Sequence, residues 1–292
     1  MTYTLSNAEL SIAVKKSGIE LCSVMSQKTG TEFIWQADPD IWASHAPVLF
    51  PIIGALKNGE FIFDGDSYCL PKHGLVRHSD KVQITEQTDS SLLFTLSWDN
   101  ESLKRYPFKF EFRTCYSLSG STLSVDHTVI NKGDGAMYFS LGGHPAFNCP
   151  VHNGDKYSDH YLEFEEKETD STWLLNSDGL VSNEQRPILK NSKILPLHDH
   201  LFDDDALIFK NLNSRRVSLV SKKSGRILSM DYNGFPYLGI WAKPGAPFVC
   251  IEPWQGIADA EDTSQEFTQK EGIMAIDSGE EHRAGYSVTF HI

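Results

Sequence analysis

Residues Phe108–Leu118 read "FKFEFRTCYSL" and residues Ser124–Gly133 read "SVDHTVINKG". In the first run Phe108, Phe110, Phe112, Tyr116 and Leu118 alternate with Lys109, Glu111, Arg113 and Ser117. Successive side chains of an extended chain point to opposite faces, so a period of two describes strands with one face in a core and one toward water. The same switch recurs in "SLLFTLSWDN" (Ser91–Asn100), "RRVSLVSKKSG" (Arg215–Gly225), "RILSMDYNGF" (Arg226–Phe235) and "GYSVTFHI" (Gly285–Ile292). Each run ends near Gly, Asn, Asp or Ser, which favour turns. Asp64-Gly65, between "EFIF" and "SYCL", is a hairpin signal, because a two-residue type I′ turn needs positive φ at both central positions.

Helical periodicity is scarce. Short helices are expected in "DPDIWASHAP" (Asp38–Pro47) and in "TSQEFTQKEGI" from Thr263, and Lys190–Ala206 reads as a loop-rich excursion. No repeat of fixed period and no Pro/Gly/Ser linker divides the chain. The expectation is an all-β fold, one large antiparallel β-sandwich over residues 1–292 with a few short helices. In such folds binding residues collect on a concave sheet face or on rim loops.

The 292 residues include 40% hydrophobic and 22% charged side chains, ordinary globular composition with material for a substantial core. A net charge of −13 argues against a nucleic-acid or anionic-membrane surface, where a basic patch is required. The five cysteines are widely spaced and form no CxxC, so neither a disulfide framework nor a cysteine zinc site is implied. The first residues show no secretory signal pattern, and no apolar run is long enough for a membrane helix; a cytoplasmic protein is the expectation.

Four stretches carry titratable groups in unusual settings. In "SLGGHPAFNC" (Ser140–Cys149), His144 follows two glycines, which permit close backbone approach, and precedes a proline, which biases it toward an extended conformation. A core or turn histidine satisfies the same pattern. In "GAPFVCIEPWQGIAD" (Gly245–Asp259), strand alternation puts Phe248, Cys250 and Glu252 on one face, and Glu252 at the end of the apolar run is partly desolvated, which raises its pKa. A solvent-facing or arginine-paired Glu252 is the alternative. "LPKHGLVRHSD" (Leu70–Asp80) can project His73 and Arg77 to one side, Arg77 offering forked hydrogen bonds to hydroxyls or phosphate. In "LFDDDALIFKN" (Leu201–Asn211) the EF-hand spacing is absent, so Asp205 reads as a partner for a histidine or a hydroxyl, with Asp203 and Asp204 open as alternatives. Of the eleven histidines only His198 and His200 have ligand-like spacing, in an expected loop, and no metal site is expected. GxSxG, P-loop, GxGxxG and HExxH motifs are absent.

Together with "PVLFPIIGALKNGEF" (Pro47–Phe61) and "PYLGIWAKPG" (Pro236–Gly245), these blocks resemble the aldose 1-epimerase (galactose mutarotase-like) superfamily along most of the chain, and most resemble its LacX-like branch. The resemblance implies a β-sandwich with a sugar cleft and cofactor-free interconversion of the α and β anomers of a hexose or hexose phosphate. It implies His144 as acid, Glu252 as base, and His73, Arg77 and Asp205 as substrate contacts. The partner implied is a small sugar; a homodimer stays open. Many relatives carry arginine where this chain has Ala55, which keeps a non-catalytic sugar-binding protein in view as the alternative. Lys57, Lys72 and Arg77 are the candidate phosphate-binding cations, and Phe147, Trp241 and Trp254 the candidate aromatic platforms. A glycosidase would need a second well-placed carboxylate beside Glu252. The expected geometry has His144 and Glu252 in one cleft, a sugar's width apart, with the glycines making room for substrate.

Overall fold

The computed structural model describes all 292 residues. The alternating runs become antiparallel strands: Phe110–Ser119 pairs with Thr122–Asn131 and with Ser91–Ser97, and Thr122–Asn131 pairs with Glu281–Phe290. These belong to one long sheet. Its order begins with Val48–Leu49, Leu141–Gly143, Phe248–Gln255, Tyr237–Trp241, Leu207–Phe209 and His160–Leu175. It continues through Arg216–Ser221, Gly225–Asp231, Glu281–Phe290, Thr122–Asn131, Phe110–Ser119 and Ser91–Ser97 to Gln83–Gln87.

The sheet folds back on itself. Phe50, beside its first strand, packs its ring 4.7 Å from Phe112 and 5.3 Å from Phe110, which sit near the other end of the order. The apolar face of each half thereby covers the other, the arrangement expected of a β-sandwich. A separate sheet of Thr2–Ser6, Leu10–Lys15 and Glu20–Ser26 adds to the same core through Leu5, Leu10, Ile12, Val14 and Val24. The Asp64-Gly65 hairpin forms between Glu60–Phe63 and Asp66–Cys69, with φ of 53° and 83° at the two turn residues.

Three expectations change. Asp38–Pro47 forms a single turn and no helix: Ile41 and Trp42 donate to the Asp38 carbonyl, after which the His45 amide and carbonyl are drawn to Glu20 and Ala146. The segment from Thr263 yields only the 3-10 turn Phe267–Gln269. Lys190–Pro196, expected as loop, is the end of the strand Val181–Pro196, which forms a long hairpin with His160–Leu175. Bulges interrupt that ladder repeatedly, which breaks the period-two signal.

The paired glycines before His144 answer to packing. Neither has positive φ. A Cβ on Gly142 would lie 2.8 Å from the Trp254 ring and 2.9 Å from the Pro253 carbonyl, and one on Gly143 would lie 2.9 Å from the Tyr286 ring of the opposite layer. They bring strands together and do not open a substrate space, contrary to the expectation. Gly143→Ala should therefore overpack the sandwich and cost about 1–3 kcal/mol. Urea unfolding reads this as a lower midpoint, and an unchanged midpoint would contradict the packing role.

Candidate active site

Two short strands, Leu141–Gly143 and Ala146–Asn148, both pair with Phe248–Gln255. The pairs Gly142↔Trp254 and Ala146↔Cys250 share one antiparallel register, since each pair of numbers sums to 396. Carried through the gap at Pro145, which has no N–H to donate, that register sets His144 opposite Glu252. Cross-strand neighbours on one face have Cβ atoms about 5 Å apart, and here the side chains meet, with His144 Nε2 3.3 Å from Glu252 Oε2. On its other edge Glu252 faces Gly239, where the Trp254 ring takes the room a side chain would need.

The two groups are therefore adjacent, and not a sugar's width apart as expected.

His144 and Glu252 lie in the wall of a cavity of about 510 Å³, within the range of small-molecule sites. His73, Arg77 and Asp205 line the same cavity, as do Lys72 and Asp203. Asp204 turns away to pair with Arg186. Lys57 is also elsewhere, its Nζ donating to the Glu261 carbonyl and its amide to Asp259. Trp241 and Trp254 line the cavity, whereas Phe147 is buried in the main core. His198 lies outside this cavity, and the exposed His200 pairs with Asp203 at 3.0 Å. The floor is a small apolar cluster distinct from the main core, to which Ile53, Ile208, Trp254 and Ala258 belong.

Trp42 stacks on the His144 ring, with centroids 5.1 Å apart, and Trp241 meets it edge-on at 5.8 Å. Sequence reading placed Trp42 in a helix and missed it; an aromatic residue in an aperiodic stretch gives no local signal of its destination. Phe202 was missed for the same reason.

His73 has φ of 69°, a left-handed conformation that costs energy for a residue with a side chain. Two hydrogen bonds hold it. Its amide donates to the Gly54 carbonyl at 2.9 Å, and the Gly54 amide donates to its Nδ1 at 3.2 Å. Accepting at Nδ1 leaves the proton of the neutral ring on Nε2, so His73 is fixed as a donor. Burial, with His144 beside it, keeps His73 well below the ordinary histidine pKa. Arg77 anchors one guanidinium nitrogen on the Ser44 hydroxyl at 3.1 Å.

Burial also governs the central pair. It pushes His144 down to about 3, assisted by the positive charge of Arg77, and holds Glu252 well above the usual carboxylate range, opposed in part by Lys72. Both shifts favour uncharged forms. That direction runs against the expected histidinium beside a carboxylate. Arg77 Nε, His144 Nδ1, Glu252 Oε2 and Trp254 Nε1 are buried atoms of cavity-lining residues with no hydrogen-bond partner.

The sequence model of the family described as Aldose 1-epimerase matches residues 1–286. The plasmid-encoded LacX protein of Lactococcus lactis subsp. lactis is 34% identical over 298 residues, which cover 99% of each chain. A galactose mutarotase related enzyme from Lactobacillus acidophilus is 38% identical with a TM-score of 0.94, covering 100% of this chain and 98% of its own. A galactose mutarotase-like protein from Lactobacillus casei is 28% identical with a TM-score of 0.93, covering both chains fully. The fold is accordingly the galactose mutarotase-like sandwich.

The raised pKa of the buried Glu252 has a consequence for stability. In the unfolded chain it ionises near pH 4.3, whereas the folded chain retains the proton to higher pH, so folding is disfavoured progressively as pH rises above that value. Glu252→Gln removes the mismatch. Its unfolding free energy should equal that of the wild type in acid and exceed it by about 1.4 kcal/mol per pH unit above pH 4.3 until the folded group ionises. Urea unfolding at several pH values checks this, and parallel pH curves would contradict it.

Proposed function

The chain belongs to the aldose 1-epimerase family, and from that premise we propose that it is a mutarotase acting on a hexose or hexose phosphate. The observation that carries the reading is the His144–Glu252 pair, 3.3 Å apart in the wall of a cavity of monosaccharide size. Opening a hemiacetal requires a proton to leave the anomeric hydroxyl and another to reach the ring oxygen. A one-proton pair does both: Glu252 delivers to the ring oxygen while His144 accepts from the hydroxyl. The roles implied by the resemblance, His144 as acid and Glu252 as base, belong to the same pair after the proton has crossed between them. Rotation about the C1–C2 bond and closure with the steps reversed give the other anomer, with no net proton change.

The remaining lining residues suit a polyol. His73 presents an Nε2–H donor, Arg77 a guanidinium, and Asp203 and Asp205 acceptors, while Trp241 and Trp254 offer apolar faces to the C–H side of a pyranose. Lys72 and Arg77 are the two cationic side chains of the cavity and would meet a phosphate.

Two-dimensional exchange NMR on glucose, galactose and their 6-phosphates tests the proposal. The wild type should accelerate exchange between anomers of at least one sugar. Glu252→Gln should lower that rate by roughly 100- to 10,000-fold, the usual contribution of positioned proton transfer. Calorimetric binding without accelerated exchange would replace this reading with the non-catalytic sugar-binding one.

A further inference from the structure

Cys250 is a buried thiol that the proposed reaction does not use. It pairs with Ala146 in the ladder that sets His144 opposite Glu252, and it lies two residues from Glu252 on the same strand. Strand alternation therefore puts its Sγ on the face that carries both groups. The donor atoms of His144, Cys250 and Glu252 all lie within 4.8 Å of one another. All three residues are at least nine-tenths buried, and Glu252 Oε2, aimed at the His144 ring, has no hydrogen-bond partner.

We propose that His144, Cys250 and Glu252 form a site for a thiophilic divalent cation of the Zn²⁺ or Cd²⁺ class, and that its occupation arrests the catalytic pair. One imidazole nitrogen, one thiolate sulfur and one carboxylate oxygen make a borderline-soft set, the kind that selects zinc and its heavier congener over calcium or magnesium. The charge also balances. A dication with one thiolate and one carboxylate is neutral, which a buried site tolerates far better than any partly neutralised combination. His144 and Glu252 line the cavity, so the fourth position of a tetrahedral ion opens there, to water or a sugar hydroxyl.

Binding has a proton balance. The Cys250 sulfur ligates as thiolate, so its thiol proton goes to solvent, at least one proton leaves per ion, and affinity rises with pH. An ion held in this way removes both the transferable proton and its acceptor. Arrest of exchange rests on the mutarotase reading; binding of the ion does not.

The test titrates the full chain with Cd²⁺ in a non-chelating buffer, following ultraviolet thiolate-to-metal charge transfer and proton release. Wild type, Cys250→Ser and the control Cys149→Ser are compared, and anomer exchange is measured with Zn²⁺ before and after EDTA. The expected result is one ion per chain, at least one proton released, and a charge-transfer band in the wild type and in Cys149→Ser that is lost in Cys250→Ser. Zn²⁺ should stop exchange reversibly in the wild type and leave Cys250→Ser active. No band in the wild type, no proton release, or a band that survives in Cys250→Ser would overturn the site. Proton release is read on the wild type and needs no variant to fold. Ion binding that depends on Cys250, in a protein that exchanges no sugar tested, would uphold the site and sink the mutarotase reading instead.

Discussion

The site depends on one antiparallel register, the ladder between residues 141–148 and 248–255. Gly142↔Trp254 on one side of Pro145 and Ala146↔Cys250 on the other leave His144 only one partner, Glu252. A slip of one residue would offer it Ile251 or Pro253 and send every side chain of the strand to the other face. Gly142 and Gly143 secure that register from the packing side. They admit Trp254 and Tyr286 at distances that any side chain would obstruct. The glycines serve the histidine by fixing the strand that carries it.

Depth does the rest. At the surface, His144 and Glu252 would form a solvated ion pair of little consequence. Buried between Trp42, Trp241 and the floor cluster, both are driven toward their uncharged forms, away from imidazolium beside carboxylate. Such a pair can give and take a proton without passing through two isolated buried charges. A carboxyl whose pKa burial raises also costs stability as pH rises, as expected where a buried titratable group is kept for function.

Much of this was legible in the sequence, for identifiable reasons. Strands such as Phe110–Ser119 and Thr122–Asn131 declare themselves because one face is dry and the other wet, and Asp64-Gly65 declares a hairpin because few residue pairs accept its backbone angles. The two ionisable residues before prolines stand out because proline restricts its predecessor. The structure brings His73, Arg77, His144, Asp205 and Glu252 to one cavity, and of the three consecutive aspartates it places Asp203 and Asp205 there and Asp204 outside. Long-range facts left no trace in the order of residues. The partner of Gly143 is Tyr286, far along the chain, and Trp42 reaches His144 through a turn with no period. Lys190–Pro196 hid its strand because bulges shift the phase of its alternation. Lys57 and Phe147 had the right chemistry and the wrong direction.

The proposed proton transfer needs a neutral His144 imidazole beside Glu252. Nitrogen-15 NMR of the histidine rings, with His144 assigned by substitution, measures this directly. Both His144 nitrogens should keep the shifts of a neutral imidazole from about pH 8 down to about pH 5, through the range where an ordinary histidine titrates. An imidazolium signal for His144 at neutral pH, or a titration near the ordinary histidine value, would contradict it.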